Sequence, residues 1–154
     1  MKVYDVKAIM DILPHRENML LVDKIKLIDE KRAEGKYFFR GEEWFFRGHY
    51  PHEPIVPGVI LCEIMAQTSC VLLQEKAKGK IPYLVSIDKA KFRQKVTPRK
   101  ECTTILECIK NGSILQSVEG KLYVEDALCA ECTLAFVFQN MEKNEKELQY
   151  GKKK

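Results

Sequence analysis

Residues 57–78 read P-G-V-I-L-C-E-I-M-A-Q-T-S-C-V-L-L-Q-E-K-A-K. The spacing predicts one long helix. Proline suits a first helical position, and Gly79 is a stop signal just past the end. The early turns are apolar nearly all round, and only the last turn carries a charged face. A helix apolar on every side is buried on every side. It therefore needs a sheet wrapped around it, a partner subunit, or both.

The rest of the chain supplies a sheet. Met19–Glu30 and Arg32–Arg40 have the look of strands, as do Leu84–Ile87 running on toward Val96, Glu101–Lys110, Ser113–Val124 and Ala127–Phe138. Asn111-Gly112 is a strong hairpin signal, and Glu125-Asp126 is a second turn. Val3–Met10 reads as a short helix, Asp11–Asn18 as a loop broken by Pro14, and Glu42–Pro57 as irregular, with Pro51, Pro54 and Pro57. These elements give an α+β chain, one antiparallel sheet of about six strands curled around one long central helix.

The 154 residues suffice for one core. The expected division is a single domain over 1–140 and a polar, lysine-rich tail over 141–154. A formal charge of +4, from 26 basic and 22 acidic residues, is too weak for a nucleic-acid binder. No stretch approaches the ~20 apolar residues of a membrane span, and the first residues do not read as a signal peptide. A cytoplasmic protein with no membrane association is the expectation. Among the six cysteines, Cys129 and Cys132 fall in A-L-C-A-E-C-T-L-A-F, a strand. Positions three apart in a strand point to opposite faces, which disfavours a shared metal. Free thiols in a reducing compartment are the expected state, and neither a metal nor an organic cofactor is implied.

Within the helix Glu63 has no basic residue at i±3 or i±4, where Val59, Ile60, Ala66 and Gln67 stand. Burial of such a carboxyl raises its pKa, which suits a proton donor. His49, in G-H-Y-P-H-E-P just before the helix, is the candidate base. His15 and His52 read as blander loop and turn residues. The first N–H groups of the helix, at Gly58 and Val59, have no internal partners and favour an oxyanion or carbonyl oxygen. Gln67, one turn after Glu63, is placed either to orient the carboxyl or to satisfy backbone at a subunit contact. A base, an acid and a carbonyl pocket together fit removal of a proton beside a carbonyl and loss of a hydroxyl as water. A serine elbow, a phosphate loop and a dinucleotide fingerprint are missing from the sequence.

The run G-H-Y-P-H-E-P-I-V-P-G-V-I-L-C-E-I-M-A-Q, residues 48–67, closely resembles the signature of the bacterial (3R)-hydroxyacyl-[acyl-carrier-protein] dehydratases of type II fatty acid synthesis. Glu63 at the acid position matches the broad-range type; the bifunctional dehydratase/isomerase has aspartate there. I-L-P-H-R-E-N-M-L-L-V-D (12–23) and I-D-K-A-K-F-R-Q-K-V-T-P (87–98) extend the likeness. The resemblance implies the hot-dog fold, a homodimer joined by sheet edges, and commonly a hexamer as a trimer of dimers. It implies a site shared between subunits. There His49 of one subunit takes the C2 proton, Glu63 of the other protonates the C3 hydroxyl, and the Gly58 N–H holds the thioester carbonyl. The partner implied is acidic acyl carrier protein, for which Arg93, Lys95, Arg99 and Lys100 are candidate docking residues. Tyr50, Phe92, Ile64 and Met65 are candidate tunnel residues.

Two stretches depart from the family pattern. Glu17-Asn18-Met19 stands where Tyr/Phe-Pro-Phe is usual, and Thr97-Pro98-Arg99-Lys100 where Val-Pro-Gly-Asp is usual. The second is expected to change a turn and reverse its charge. Chain-length preference and a specialised acyl or polyketide pathway stay open on that account. A hot-dog acyl thioesterase and a non-catalytic carrier-binding subunit remain the rival readings.

Overall fold

The computed structural model describes residues 1–140, so the expected tail over 141–154 lies outside the described residues. In chain order the elements are β1 (Lys2–Tyr4), α1 (Val6–Ile12), β2 (Lys24–Leu27), β3 (Arg32–Phe38), α2 (Trp44–Arg47), α3 (Gly58–Thr68), α4 (Cys70–Ala77), β4 (Lys80–Phe92), β5 (Glu101–Asn111), β6 (Leu115–Val124) and β7 (Ala127–Asn140). All seven strands join one sheet in the order β1-β2-β3-β5-β6-β7-β4, and every neighbouring pair is antiparallel.

This hot-dog-like α+β architecture corrects the expected one in three ways. The sheet has seven strands, because Lys2–Tyr4 pairs with β2 instead of starting a helix. It is open, ending in β1 on one side and β4 on the other, and does not curl shut around a helix. And the central helix is two helices, α3 and α4, whose axes differ by 58°. The bend has a local cause. Thr68 Oγ1 donates to the Ile64 carbonyl over 2.9 Å and Ser69 Oγ to the Ala66 carbonyl over 2.7 Å. Hydroxyls bonding back onto helical carbonyls compete with the regular ladder and bend helices.

The break divides the core. Helix α3 lies on β5, β6 and β7 through Ile60, Leu61, Ile64 and Met65, against Leu106, Leu122 and Leu134. Gly120 on β6 permits the approach, since a Cβ there would stand 2.9 Å from Met65 Sδ. Helix α4 packs with α1 over β1–β3 around Ile9, Ile25, Ala33 and Val71. Cys129 and Cys132 are both buried in the first core. A register shift in the β6–β7 pairing, where Leu122 faces Ala130 but Tyr123 faces Leu128, leaves Cys129 unpaired and breaks the expected alternation. Among the described residues no single helix is long and apolar enough to cross a membrane.

Candidate active site

The loop before α3 is pinned to the next connection by Val56 N–H donating to the Val96 carbonyl over 2.8 Å, with both side chains buried. This clamp opens a cleft of about 460 Å³ bordered by His49, Tyr50, Val56, Gly58, Val59 and Phe92. A Cβ on Gly58 would meet the Phe92 ring at 3.0–3.1 Å, so glycine sets the width at this point. Pro57 caps α3 without a side-chain hydrogen bond, which leaves the Gly58 and Val59 N–H groups at the mouth of the helix without helical partners.

His49 Nδ1 lies 3.1 Å from the Ile55 carbonyl oxygen. A carbonyl only accepts, so Nδ1 carries the hydrogen and the neutral ring keeps its lone pair on Nε2. Tyr50 lies against the imidazole with ring centroids 4.4 Å apart and the planes tilted by 39°. It does so from a left-handed backbone, φ 56°, a conformation costing of order 1–3 kcal/mol and concentrated at functional sites.

Glu63 faces elsewhere. It does not border the cleft; its Oε2 accepts from Gln67 Nε2 over 2.8 Å and lies 3.4 Å from His15 Nε2. Among the described residues no hydrogen bond or ion pair joins His49 to Glu63 within one chain. Burial pushes the Glu63 pKa up, but the contacts with His15 and Gln67 outweigh it, and the carboxyl ends below its ordinary value. The expectation that burial would raise the pKa of this group is therefore corrected: His15, from outside the helix, and Gln67, one turn along it, hold the value down. The missed partner, His15, comes from the loop after α1. Nothing at i±3 or i±4 announces it, because the contact spans 48 positions of sequence.

The other candidates divide. Tyr50, Phe92, Arg93 and Lys95 border the cleft with His49, Gly58 and Val59. Arg93 pairs with Glu131, and Lys95 with Glu53 at 3.1 Å. Ile64 and Met65 are 1% and 0% exposed and pack into the core under α3, away from the cleft wall. Arg99 and Lys100 border a second, polar depression of about 690 Å³ with Glu34, Lys36, Glu101 and Glu125. There Lys100 is paired with Glu125 at 3.0 Å. Arg99, where the family pattern has glycine, keeps a left-handed φ of 66°. Its N–H donates to the Phe39 carbonyl over 2.7 Å.

The FabA-like domain matches residues 13–133, which contain His15, the cleft and α3. The chain belongs to the FabA-like family. It is 40% identical over 135 residues to the 3-hydroxyacyl-[acyl-carrier-protein] dehydratase FabZ of Clostridium tetani, covering 86% of this chain and 95% of that one. It is 38% identical over 139 residues to the FabZ of Fusobacterium nucleatum, covering 89% and 99%. A dehydratase heterocomplex from Xenorhabdus doucetiae, ApeI:P, shares the fold with a TM-score of 0.72 at 15% identity, over 94% of this chain and 97% of that one. A hypothetical thioesterase with coenzyme A from Streptococcus pneumoniae aligns at 0.59 with 11% identity, over 76% and 87%. At such identities these two structures speak for the fold alone.

Proposed function

We propose that this protein dehydrates (3R)-3-hydroxyacyl-[acyl-carrier-protein] to the trans-2-enoyl thioester, in type II fatty acid synthesis, at sites shared between two subunits. The observation that carries this reading is the state of His49. Its Nδ1 hydrogen is spent on Ile55, and its free Nε2 lone pair stands in a largely apolar cleft beside the open end of α3. A base so placed removes a C2 proton, while N–H donors at Gly58 and Val59 take the charge that gathers on the thioester oxygen. The dehydratase relatives, at about 40% identity over nearly their whole length, support the same chemistry.

The acid in this scheme is Glu63 of the other subunit. As the C2–H bond breaks, its electron pair forms the C2–C3 double bond. The C3–O bond cleaves, and the departing oxygen takes the Glu63 proton and leaves as water. Glu63 sits half-buried in the single chain, with 29% of its side chain exposed. Covering it with a partner strips water from the carboxyl and moves its pKa upward, toward a group able to hold a proton. Strand β4 supports the pairing. It is a 13-residue edge strand with Tyr83, Leu84, Val85, Ile87 and Phe92 exposed, and a long apolar edge is a template for another strand. A trimer of such dimers, carrier protein docked near Arg93 and Lys95, and Tyr50 and Phe92 as walls of the acyl slot complete the reading.

The test is turnover of (3R)-hydroxybutyryl carrier protein, followed by enoyl absorbance and, in parallel, by release of free thiol. Enoyl formation without thiol release is expected. Replacing either His49 by Ala or Glu63 by Gln should cut it about a hundredfold or more. Thiol release by the wild type in place of enoyl product would point to a thioesterase. Mixing the two variants should restore one working site per mixed dimer, and no recovery despite subunit exchange would remove the shared site.

A further inference from the structure

We propose that His15 is a positioning residue for Glu63: together with Gln67 it holds Oε2, so that the two oxygens of the carboxyl are not equivalent and Oε1 is the one that carries and delivers the proton. The inference deepens the dehydratase reading and rests on it. Gln67 cannot be turned round. Its Oε1 accepts from the Leu21 N–H over 2.8 Å, and its Nε2 donates to the Met19 carbonyl over 2.7 Å as well as to Glu63 Oε2. It therefore always offers a hydrogen to Oε2. His15 Nε2 approaches the same oxygen, and a favourable contact there needs a hydrogen on that nitrogen. With two donors aimed at Oε2, an acidic proton on the same atom would oppose both, so it resides on Oε1.

The loop that carries His15 is built to keep it there. Arg16 Nη1 donates back to the Leu13 carbonyl over 2.9 Å and to the His15 carbonyl over 2.7 Å. The other ring nitrogen, Nδ1, is buried without a hydrogen-bond partner. A buried polar atom left unpaired costs stability and asks for an explanation. Holding the imidazole against Oε2 supplies one, because a rotation that brought Nδ1 to a partner would withdraw Nε2. During the reaction the proton passes from Oε1 to the leaving oxygen. The negative charge left on Glu63 is then shared by hydrogens already pointing at Oε2, with no reorganisation needed.

The experiment compares wild type, His15→Leu, His15→Gln and Glu63→Gln in the carrier-protein turnover assay. Thermal unfolding is recorded on each, with the Glu63 carboxylate band isolated by infrared difference against Glu63→Gln. In His15→Leu, kcat is expected to fall about tenfold or more with KM within about twofold, and the carboxylate band to shift. His15→Gln, whose Nε2 can donate where the imidazole did, is expected to recover most of the lost kcat. Wild-type kcat and an unmoved band in His15→Leu would overturn the inference. So would a loss that His15→Gln does not recover, or one that tracks a fall in melting temperature. If Glu63→Gln itself turned over normally, the failure would belong to the dehydratase reading, not to the role of His15.

Discussion

Gln67 donates to Glu63 Oε2 over 2.8 Å, and the same side chain accepts from the backbone of Leu21 46 positions earlier. One turn of α3 is thereby tied to the loop entering β2, and the candidate acid is fixed to the fold through an amide that is 2% exposed. Replacing Gln67 by Leu leaves the Leu21 N–H and the Met19 carbonyl without their partner. The expected cost is about 1–3 kcal/mol, with a fall in kcat of about tenfold or more as Glu63 loses its orientation. Denaturant unfolding and steady-state turnover measure the two effects. A variant with wild-type kcat would show that the tie is structural only.

The lowered pKa of Glu63 has a sign that can be checked in the single subunit. A carboxyl whose folded value lies below its unfolded one, ordinarily about 4.3, binds fewer protons when folded. It contributes stability above that pH and loses the contribution as pH falls through the folded value. The stability advantage of wild type over Glu63→Gln should therefore be largest near neutrality and shrink on acidification. Melting temperatures of the two proteins, each held monomeric by lysines at Leu84 and Ile87 on β4, from pH 7 down to about 3 read this directly. An advantage that grows toward acid would mean that burial, and not the partners, governs the group.

Gly58 and Phe92 share the width of the cleft. A methyl at Gly58 meets the ring at 3.0–3.1 Å, tight enough that the ring must move. Phe92 is 51% exposed and has room to do so. Gly58→Ala should leave melting nearly unchanged while raising KM several-fold, about threefold or more. Phe92→Leu in the same chain should return KM toward wild type. Failure of the second change to relieve the first would separate the two residues.

Arg99 holds a glycine-like conformation without being glycine. A left-handed non-glycine residue costs roughly 1–2 kcal/mol, and glycine's extra freedom in the unfolded chain returns part of that. Arg99→Gly is expected to stabilise the protein by about 0.5–1 kcal/mol. Destabilisation in a urea titration would show that the guanidinium makes compensating contacts at the polar depression it borders.

Strand β4 is the edge on which the two-subunit site depends. Lysines at Leu84 and Ile87, both exposed and mid-strand, place like charges across any antiparallel β4–β4 seam and protect an edge from pairing. The double variant is expected to sediment as a folded monomer and to lose turnover with its partner. A dimer of wild-type stability would move the interface elsewhere.

Much of the fold is legible in local signals. Asn111-Gly112 does join two strands, with the Gly112 N–H donating to the Leu115 carbonyl over 3.0 Å. Glu125 and Asp126 turn with φ of 51° and 66°, as a tight hairpin requires. The start of α3 at Gly58 follows from Pro57. The break at Ser69 was not legible, since threonine and serine hydroxyls bend a helix only when they turn back onto its carbonyls. Nor was the pairing of β1, which carries only three residues and takes its register from β2.

At the site, the sequence by itself determined which groups are available: an imidazole before a proline-rich turn, a carboxyl in an apolar helix, and free amides at that helix's start. Those depend on residue type and near neighbours. Only the tertiary structure decided their states. The Ile55 carbonyl selects the tautomer of His49, and His15 and Gln67 hold Glu63 low and aim one of its oxygens. Electrostatic and hydrogen-bond effects act over a few ångströms of space, whatever the separation along the chain. A partner 48 residues away therefore leaves no periodic trace in the sequence.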